Sequence, residues 1–193
     1  MGGGISGIST AISLTETPYS VAILEGNSLA SGASGRNAGF LISGTVEYYH
    51  RAIEFIGHDS AKRFWELSEE NHTILAGWIA EFGIRCDYQQ RGSLVLAETP
   101  NEFEEITNAA QALHRDGFYA EIVPREQLPE WGLPEHLFYG GYFSPVDGAT
   151  DPVALIRGLA KSVENHDIQI FENTPVTDFS ETRHGTVEMV TPE

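Results

Sequence analysis

The chain has 193 residues, 41% of them hydrophobic, enough to bury a core and to fill one or two domains. Its 28 acidic residues against 11 basic ones give a formal charge of -17, which repels phosphate backbones and anionic membranes and argues against nucleic acid as a partner. The lone cysteine, Cys86, excludes an internal disulfide and a cysteine-based metal cluster; with no secretory apolar region and no run of about 20 apolar residues, no membrane span is expected and the expected location is cytoplasmic.

The chain opens with Gly2-Gly3-Gly4-Ile5-Ser6-Gly7, a Gly-x-Gly-x-x-Gly pattern. Residues Ile5 to Leu14 are small and apolar enough to form a helix, and the apolar run Val21 to Leu24 ends at Glu25. In a dinucleotide-binding unit the first two glycines let the backbone turn tightly and approach a pyrophosphate at the helix N-terminus. The third lets the helix pack close to the sheet, and the acid accepts the ribose hydroxyls. Only Met1 precedes Gly2, so the buried strand that normally delivers such a loop is expected to be missing. The run Ala30 to Phe40 follows, with Ser34, Gly35, Arg36, Asn37 and Ala38 at its centre. Its hydroxyls, guanidinium and amide suit a loop that wraps a phosphate and the polar edge of a ring, although surface turns use the same residues.

Asp59 or Ser60 can cap a helix with an apolar stripe at Phe64, Leu67, Asn71, Ile74, Leu75, Trp78, Ile79 and Phe82, ended by Gly83; only Asn71 breaks the stripe, and its aromatics are expected in the core. Ile84 to Tyr88 and Ser93 to Ala97 read as an antiparallel hairpin across Gln89-Gln90-Arg91-Gly92. Thr99-Pro100-Asn101-Glu102 is a capping box with proline at the first helical position, starting a helix that stops at Gly117. Strands are expected at 121–123 and 137–143, a helix capped by Asp151 from Pro152 to about Val163, a parallel-type strand at 168–171, and strands at 176–180 and 186–190.

The glycine motif with Glu25 and the Ser-Gly-Arg-Asn loop together resemble the FAD-dependent amine and amino-acid oxidoreductases, a family that includes D-amino-acid oxidase, glycine oxidase, sarcosine oxidase and γ-glutamylputrescine oxidase. The resemblance continues through Tyr142-Phe143-Ser144-Pro145-Val146-Asp147-Gly148-Ala149-Thr150-Asp151-Pro152 and Asn173-Thr174-Pro175-Val176. It implies an α/β fold: a Rossmann-like FAD-binding domain lacking its first strand, with an inserted α+β substrate-domain segment. The expected division is 1–83 for the first part of the FAD-binding domain, 84–147 for a partial substrate domain, and 148–193 for the return to the FAD-binding domain.

The same resemblance implies FAD contacts from Gly2, Gly3, Gly4, Ile5, Ser6, Gly7, Glu25, Ser34, Gly35, Arg36, Asn37 and Ala38, with the backbone of Val176 against the adenine. Some relatives attach flavin through a histidine in this loop, where this chain reads Gly35-Arg36-Asn37, so FAD is expected to bind non-covalently. The implied chemistry is hydride transfer from a carbon next to an amine to flavin N5, with an amine or amino acid as small-molecule substrate. Family members continue for roughly as long again, so the isolated chain is expected to be inactive and to bind FAD poorly. Two other readings stay open: an NAD-dependent dehydrogenase, whose ribose Glu25 would serve equally well, and a short protein that binds a nucleotide or partner without catalysis.

The remaining polar residues carry no assigned chemistry. The seven histidines (His50, His58, His72, His114, His136, His166, His184) show no metal-ligand pairing with an acid on one face. Glu69-Glu70 and Glu104-Glu105 read as solvated helix faces, Arg91 as a surface turn, and Cys86 as a small buried hydrophobe in the inserted segment. Substrate, oligomeric state and catalytic residues are not legible in the chain.

Overall fold

A computed structural model describes the chain except for residues 165, 167, 182–185 and 193. In chain order the elements are α1 (Ile5–Leu14), β1 (Ala22–Leu24), a 3-10 turn (Ala33–Gly35), β2 (Phe40–Leu41), α2 (Tyr49–Ile56) and α3 (His58–Glu81). Then come β3 (Ser93–Ala97), α4 (Pro100–Arg115), β4 (Glu121–Pro124), a 3-10 turn (Arg125–Trp131), β5 (Gly140–Ser144) and β6 (Gly148–Ala149). The order ends with α5 (Pro152–Glu164), β7 (Gln169–Phe171), β8 (Asp178–Glu181) and β9 (Val187–Val190). His184 lies outside the described residues.

These elements form two compact units, the first of Met1–Gly39, Gly77–Asp87 and Thr150–Glu193, the second of Phe40–Ala76 and Tyr88–Ala149. Residues 40–76 pack with the second unit rather than with the glycine motif, and 84–87, Cys86 included, belong to the first.

In the first unit β1 and β7 pair in parallel, Ala22 with Gln169 through Leu24 with Phe171. A core of Ile8, Ala11, Ile12, Ile23, Leu155, Ile156, Leu159, Val163 and Ile168 forms where α1 and α5 bury their apolar faces. Asp151 starts α5 as expected, its Oδ1 accepting the Val153 and Ala154 amides at 2.9 Å. Cys86 is buried and reduced; its carbonyl accepts the Asp151 amide at 2.7 Å and the Thr150 hydroxyl at 2.7 Å. β8 and β9 pair antiparallel, all of their residues exposed.

The second unit is built on a three-stranded antiparallel sheet of order β3-β5-β4. Pro124, which has no N–H to give a ladder, sits on the edge strand β4. The expected 84–88/93–97 hairpin does not form. Ser93 to Ala97 pairs instead with Ser144 to Gly140, and Gln89 makes a lone bridge to Ala149. Asp87, at φ 50, breaks the extended run, and Gly141 lets β5 close on β3, because a Cβ there would collide with the Val95 carbonyl. Strand β5 accordingly begins at Gly140, three residues later than expected.

Helix α2 was not foreseen, and α3 begins at His58 directly after Gly57, which turns the chain at φ 84. The expected stripe of α3 is not the buried face: Phe64, Leu67 and Ile74 are exposed, while Ala61, Trp65 and His72 are buried. Trp65 sets the face by packing edge-on against Tyr49, ring centroids 4.7 Å apart, in a core completed by Ala52, Ala110, Leu113 and Phe118. Alanine and histidine carry too little hydropathy to outweigh the exposed Phe64, Leu67 and Ile74 in a periodicity reading.

Helix α4 starts at the capping box. Thr99 Oγ1 accepts the Glu102 amide at 3.2 Å, and Glu102 Oε2 reaches back to the Glu98 amide at 2.7 Å, one residue before the cap. Replacing Thr99 by alanine (Thr99→Ala) is expected to lower stability by about 1 kcal/mol, read as a fall in the denaturant midpoint at unchanged slope.

Candidate functional site

The glycine motif is shaped by close backbone approach. Gly2 adopts φ 93, and its amide donates to the Leu24 carbonyl at 2.8 Å, stitching the loop to the end of β1. A Cβ on Gly7 would collide with the Gly2 carbonyl, so the first turn of α1 can press against the loop only without a side chain. On Gly4, the N-cap of α1, a Cβ would meet Ser34 Oγ at 2.8 Å. That hydroxyl accepts the Ile5 amide at 3.0 Å, satisfying one of the helix's orphan donors.

Glu25 holds this loop from the other side. Its Oε2 accepts the Gly3 amide at 2.6 Å and its Oε1 the Asn27 amide at 2.8 Å. Its own amide donates to Phe171 O at 2.9 Å, and its carbonyl accepts from Thr174 N at 2.8 Å. The segment leaving β7 is zipped further along 25–29 by Asn173 N to Asn27 O at 2.7 Å and Leu29 N to Glu172 Oε1 at 2.6 Å. Val176 follows this zipped segment.

Within the Ser-Gly-Arg-Asn loop, Asn37 spends its side chain on its own turn. Its Nδ2 donates to the Ala33 and Ser34 carbonyls at 3.0 Å, and its Oδ1 accepts the Gly39 amide at 2.8 Å. Arg36 is exposed, and its guanidinium has no ion pair or hydrogen bond among the described residues.

A cleft of about 290 Å³ lies between the two motifs, lined by Gly3, Gly4, Glu25, Asn27, Ala30, Ser31, Gly32, Ala33, Ser34 and Arg36. Of the site residues expected from the sequence, it brings together Gly3, Gly4, Glu25, Ser34 and Arg36. Gly2, Ile5, Ser6, Gly7, Gly35, Asn37, Ala38 and Val176 do not line it. Asn27 and the residues from Ala30 to Ala33 line it without having been singled out, though the latter lie in the same run of small residues and hydroxyls. The arrangement suits a nucleotide. The N-terminus of α1 and the Arg36 guanidinium favour an anion, and each Glu25 oxygen keeps a lone pair for a hydroxyl donor.

The second unit carries two polar networks. Asp147, buried, accepts the Ser43 amide on Oδ1 at 2.9 Å and the Ser93 hydroxyl on Oδ2 at 2.6 Å. His72, also buried, has Nε2 at 3.2 Å from Ser43 Oγ and 3.7 Å from Asp147 Oδ1. Burial pushes the His72 pKa below its ordinary 6.5, against the opposing pull of Asp147. Elsewhere, Tyr49 donates to Asp116 Oδ2 at 2.6 Å, and His58 Nε2 lies 2.9 Å from both Asp116 oxygens. The hydrogen bonds to Asp116, and then to Asp59, raise the His58 pKa, while the bond from Tyr49 leads in lowering that of Asp116. No cluster of three or more potential metal ligands occurs among the described residues.

A glycine-rich loop at a helix N-terminus, with a carboxylate at the end of the neighbouring parallel strand, defines a nucleotide-binding α/β unit. The chain belongs to the FAD dependent oxidoreductase (DAO) family, whose model matches residues 1–193. It is 31% identical over 193 residues to the probable oxidoreductase OrdL of Haemophilus influenzae, covering 99% of this chain and 44% of that protein. It is 26% identical to gamma-glutamylputrescine oxidoreductase of Escherichia coli, covering 97% and 44% of the two chains. The fold is that of glycine oxidase from Geobacillus kaustophilus, with a TM-score of 0.81, 21% identity, and coverage of 98% of this chain and 50% of that one. Glycine oxidase from Bacillus cereus gives a TM-score of 0.78 at 26% identity, covering 98% and 49%. The chain thus spans about half the length of these proteins or less.

Substituting Gly7 (Gly7→Ala) is expected to cost about 2 kcal/mol of stability by driving α1 off the glycine loop, measurable by urea unfolding. The two histidines tilt the pH dependence in opposite directions. His72 is kept neutral, so its contribution is whole above 6.5 and is lost as pH falls through its depressed value. His58 is held protonated, so its contribution is whole below 6.5 and is lost as pH rises through its raised value. Unfolding midpoints at about pH 5.5 and about pH 7.5, on either side of the histidine range, should therefore show stability rising more steeply with pH in His58→Gln and less steeply in His72→Gln.

Proposed function

We propose that the cleft holds FAD non-covalently and that the whole protein oxidises the C–N bond of an amino acid or amine. The observation that carries this reading is the convergence of Gly3, Gly4, Glu25, Ser34 and Arg36 on one cleft. In this reading the N-terminus of α1 and Arg36 face the pyrophosphate and Glu25 holds the ribose hydroxyls. Ser34 and Asn37 keep the helix start and the loop in shape, and the backbone of Val176 borders the adenine. The volume of about 290 Å³ suits part of the cofactor rather than all of it. Bound FAD supplies the acceptor for a hydride from the carbon bearing the amine, leaving an imine that hydrolyses.

The substrate class follows the relatives, one named for gamma-glutamylputrescine and two for glycine. No residue of this chain is assigned to catalysis, and the expected divisions 1–83, 84–147 and 148–193 remain our proposal for the domains of the whole protein. The proposed location is cytoplasmic; no helix among the described residues is long and apolar enough to cross a membrane. Because the chain spans only 44% of the two curated relatives above, we expect it alone to bind FAD weakly and not to turn over glycine, sarcosine or a D-amino acid.

Flavin fluorescence should show saturable, weak FAD binding to the 193-residue chain, undisturbed by excess NAD and weakened about tenfold or more by Glu25→Ala, as expected for losing a charged hydrogen-bond acceptor. Displacement of FAD by NAD, or an unchanged affinity in Glu25→Ala, would overturn the assignment. Turnover by the chain alone would overturn only the expected inactivity.

A further inference from the structure

A second cleft in the first unit, about 310 Å³, shares no residue with the nucleotide cleft and is lined by Arg85, Lys161 and His166. Its geometry comes from a close contact: a Cβ on Gly158 of α5 would collide with Ile84, so the segment after α3 lies tight on the helix. Arg85, the next residue after Ile84, lines the same cleft as Lys161, which stands three residues beyond Gly158 on α5. Neither cation has an ion pair or side-chain hydrogen bond among the described residues, so their donors stay available. Phe82 and Ile84, both half-buried, supply an apolar wall.

No acidic side chain lines the cleft among the described residues, in a chain with 28 acids and a charge of -17. The overall field drives anions away, so cations gathered at a concave site with no acid among its described lining mark a local preference of the opposite sign. We propose that this cleft binds a small phosphate monoester, its dianionic head between Arg85, Lys161 and His166 and its apolar group against Phe82 and Ile84. A tetrahedral dianion matches two or three separate donors better than a singly charged planar carboxylate does. The proposal stands independently of the FAD reading.

Calorimetric titration of the 193-residue chain with phenyl phosphate, inorganic phosphate and acetate tests it. Phenyl phosphate should saturate, inorganic phosphate should bind more weakly and acetate not detectably, and added salt should weaken binding because the cations are exposed. The double variant Arg85→Gln/Lys161→Gln should lose about tenfold or more in affinity, while Arg36→Gln in the nucleotide cleft should leave it unchanged. Circular dichroism checks the fold, and the two single variants carry the test if the double variant does not fold. Absence of saturable binding, unchanged affinity in the Arg85 and Lys161 variants, or loss in Arg36→Gln overturns the proposal. Equal affinity for phenyl and inorganic phosphate overturns the apolar half of it.

Discussion

The first unit depends on Glu25. Four hydrogen bonds converge on this residue, two to its carboxylate and two through its backbone, and each joins it to a different segment. The carboxylate fixes the glycine loop and the turn after β1, while the backbone fixes the end of β7 and the chain beyond it. A carboxylate accepting backbone amides makes charge-assisted bonds, which are shorter and stronger than neutral ones. The residue proposed to hold the ribose hydroxyls is therefore also the one that shapes the glycine loop. Loss of the side chain would disturb both.

Asp147 plays the corresponding part in the second unit. Its side chain ties the loop after β2 to the start of β3, and its carbonyl accepts the Gly92 amide at 2.9 Å. A buried carboxylate is costly unless its lone pairs are used, and here backbone and hydroxyl donors use them. Burial of His72 beside it disfavours a second buried charge, against the pull of Asp147. The network thus fixes the loop after β2 against the start of β3.

Features encoded by short-range rules were legible in the sequence. Helices α1, α4 and α5 begin where Gly4, Thr99 and Asp151 end the preceding segment, because caps and glycines act over three or four residues. The pairing partner of Ser93 to Ala97 was not legible, because alternation says that a segment is extended without saying what lies beside it. Helix α3 hid its buried face for a related reason: Trp65 turns inward to meet Tyr49, and the choice is made by a residue 16 positions away in a helix whose sequence carries no cap. In the nucleotide cleft the motif residues were recognisable by type, but only the fold shows that Asn37 serves its own turn while Arg36 stays unengaged.

The first unit is assembled from three separated stretches of chain. The hydrogen bond from Leu29 to Glu172 spans 143 residues, and the β1–β7 pairing closes a loop of similar size. Contacts of such long range form slowly, because chain entropy is lost before they return any stabilisation. During synthesis the glycine loop emerges before β7 and waits for it before Glu25 has all of its partners, while the whole sheet of the second unit lies between the two in the chain. The glycine loop is thus made well before the strand that completes its hydrogen bonds.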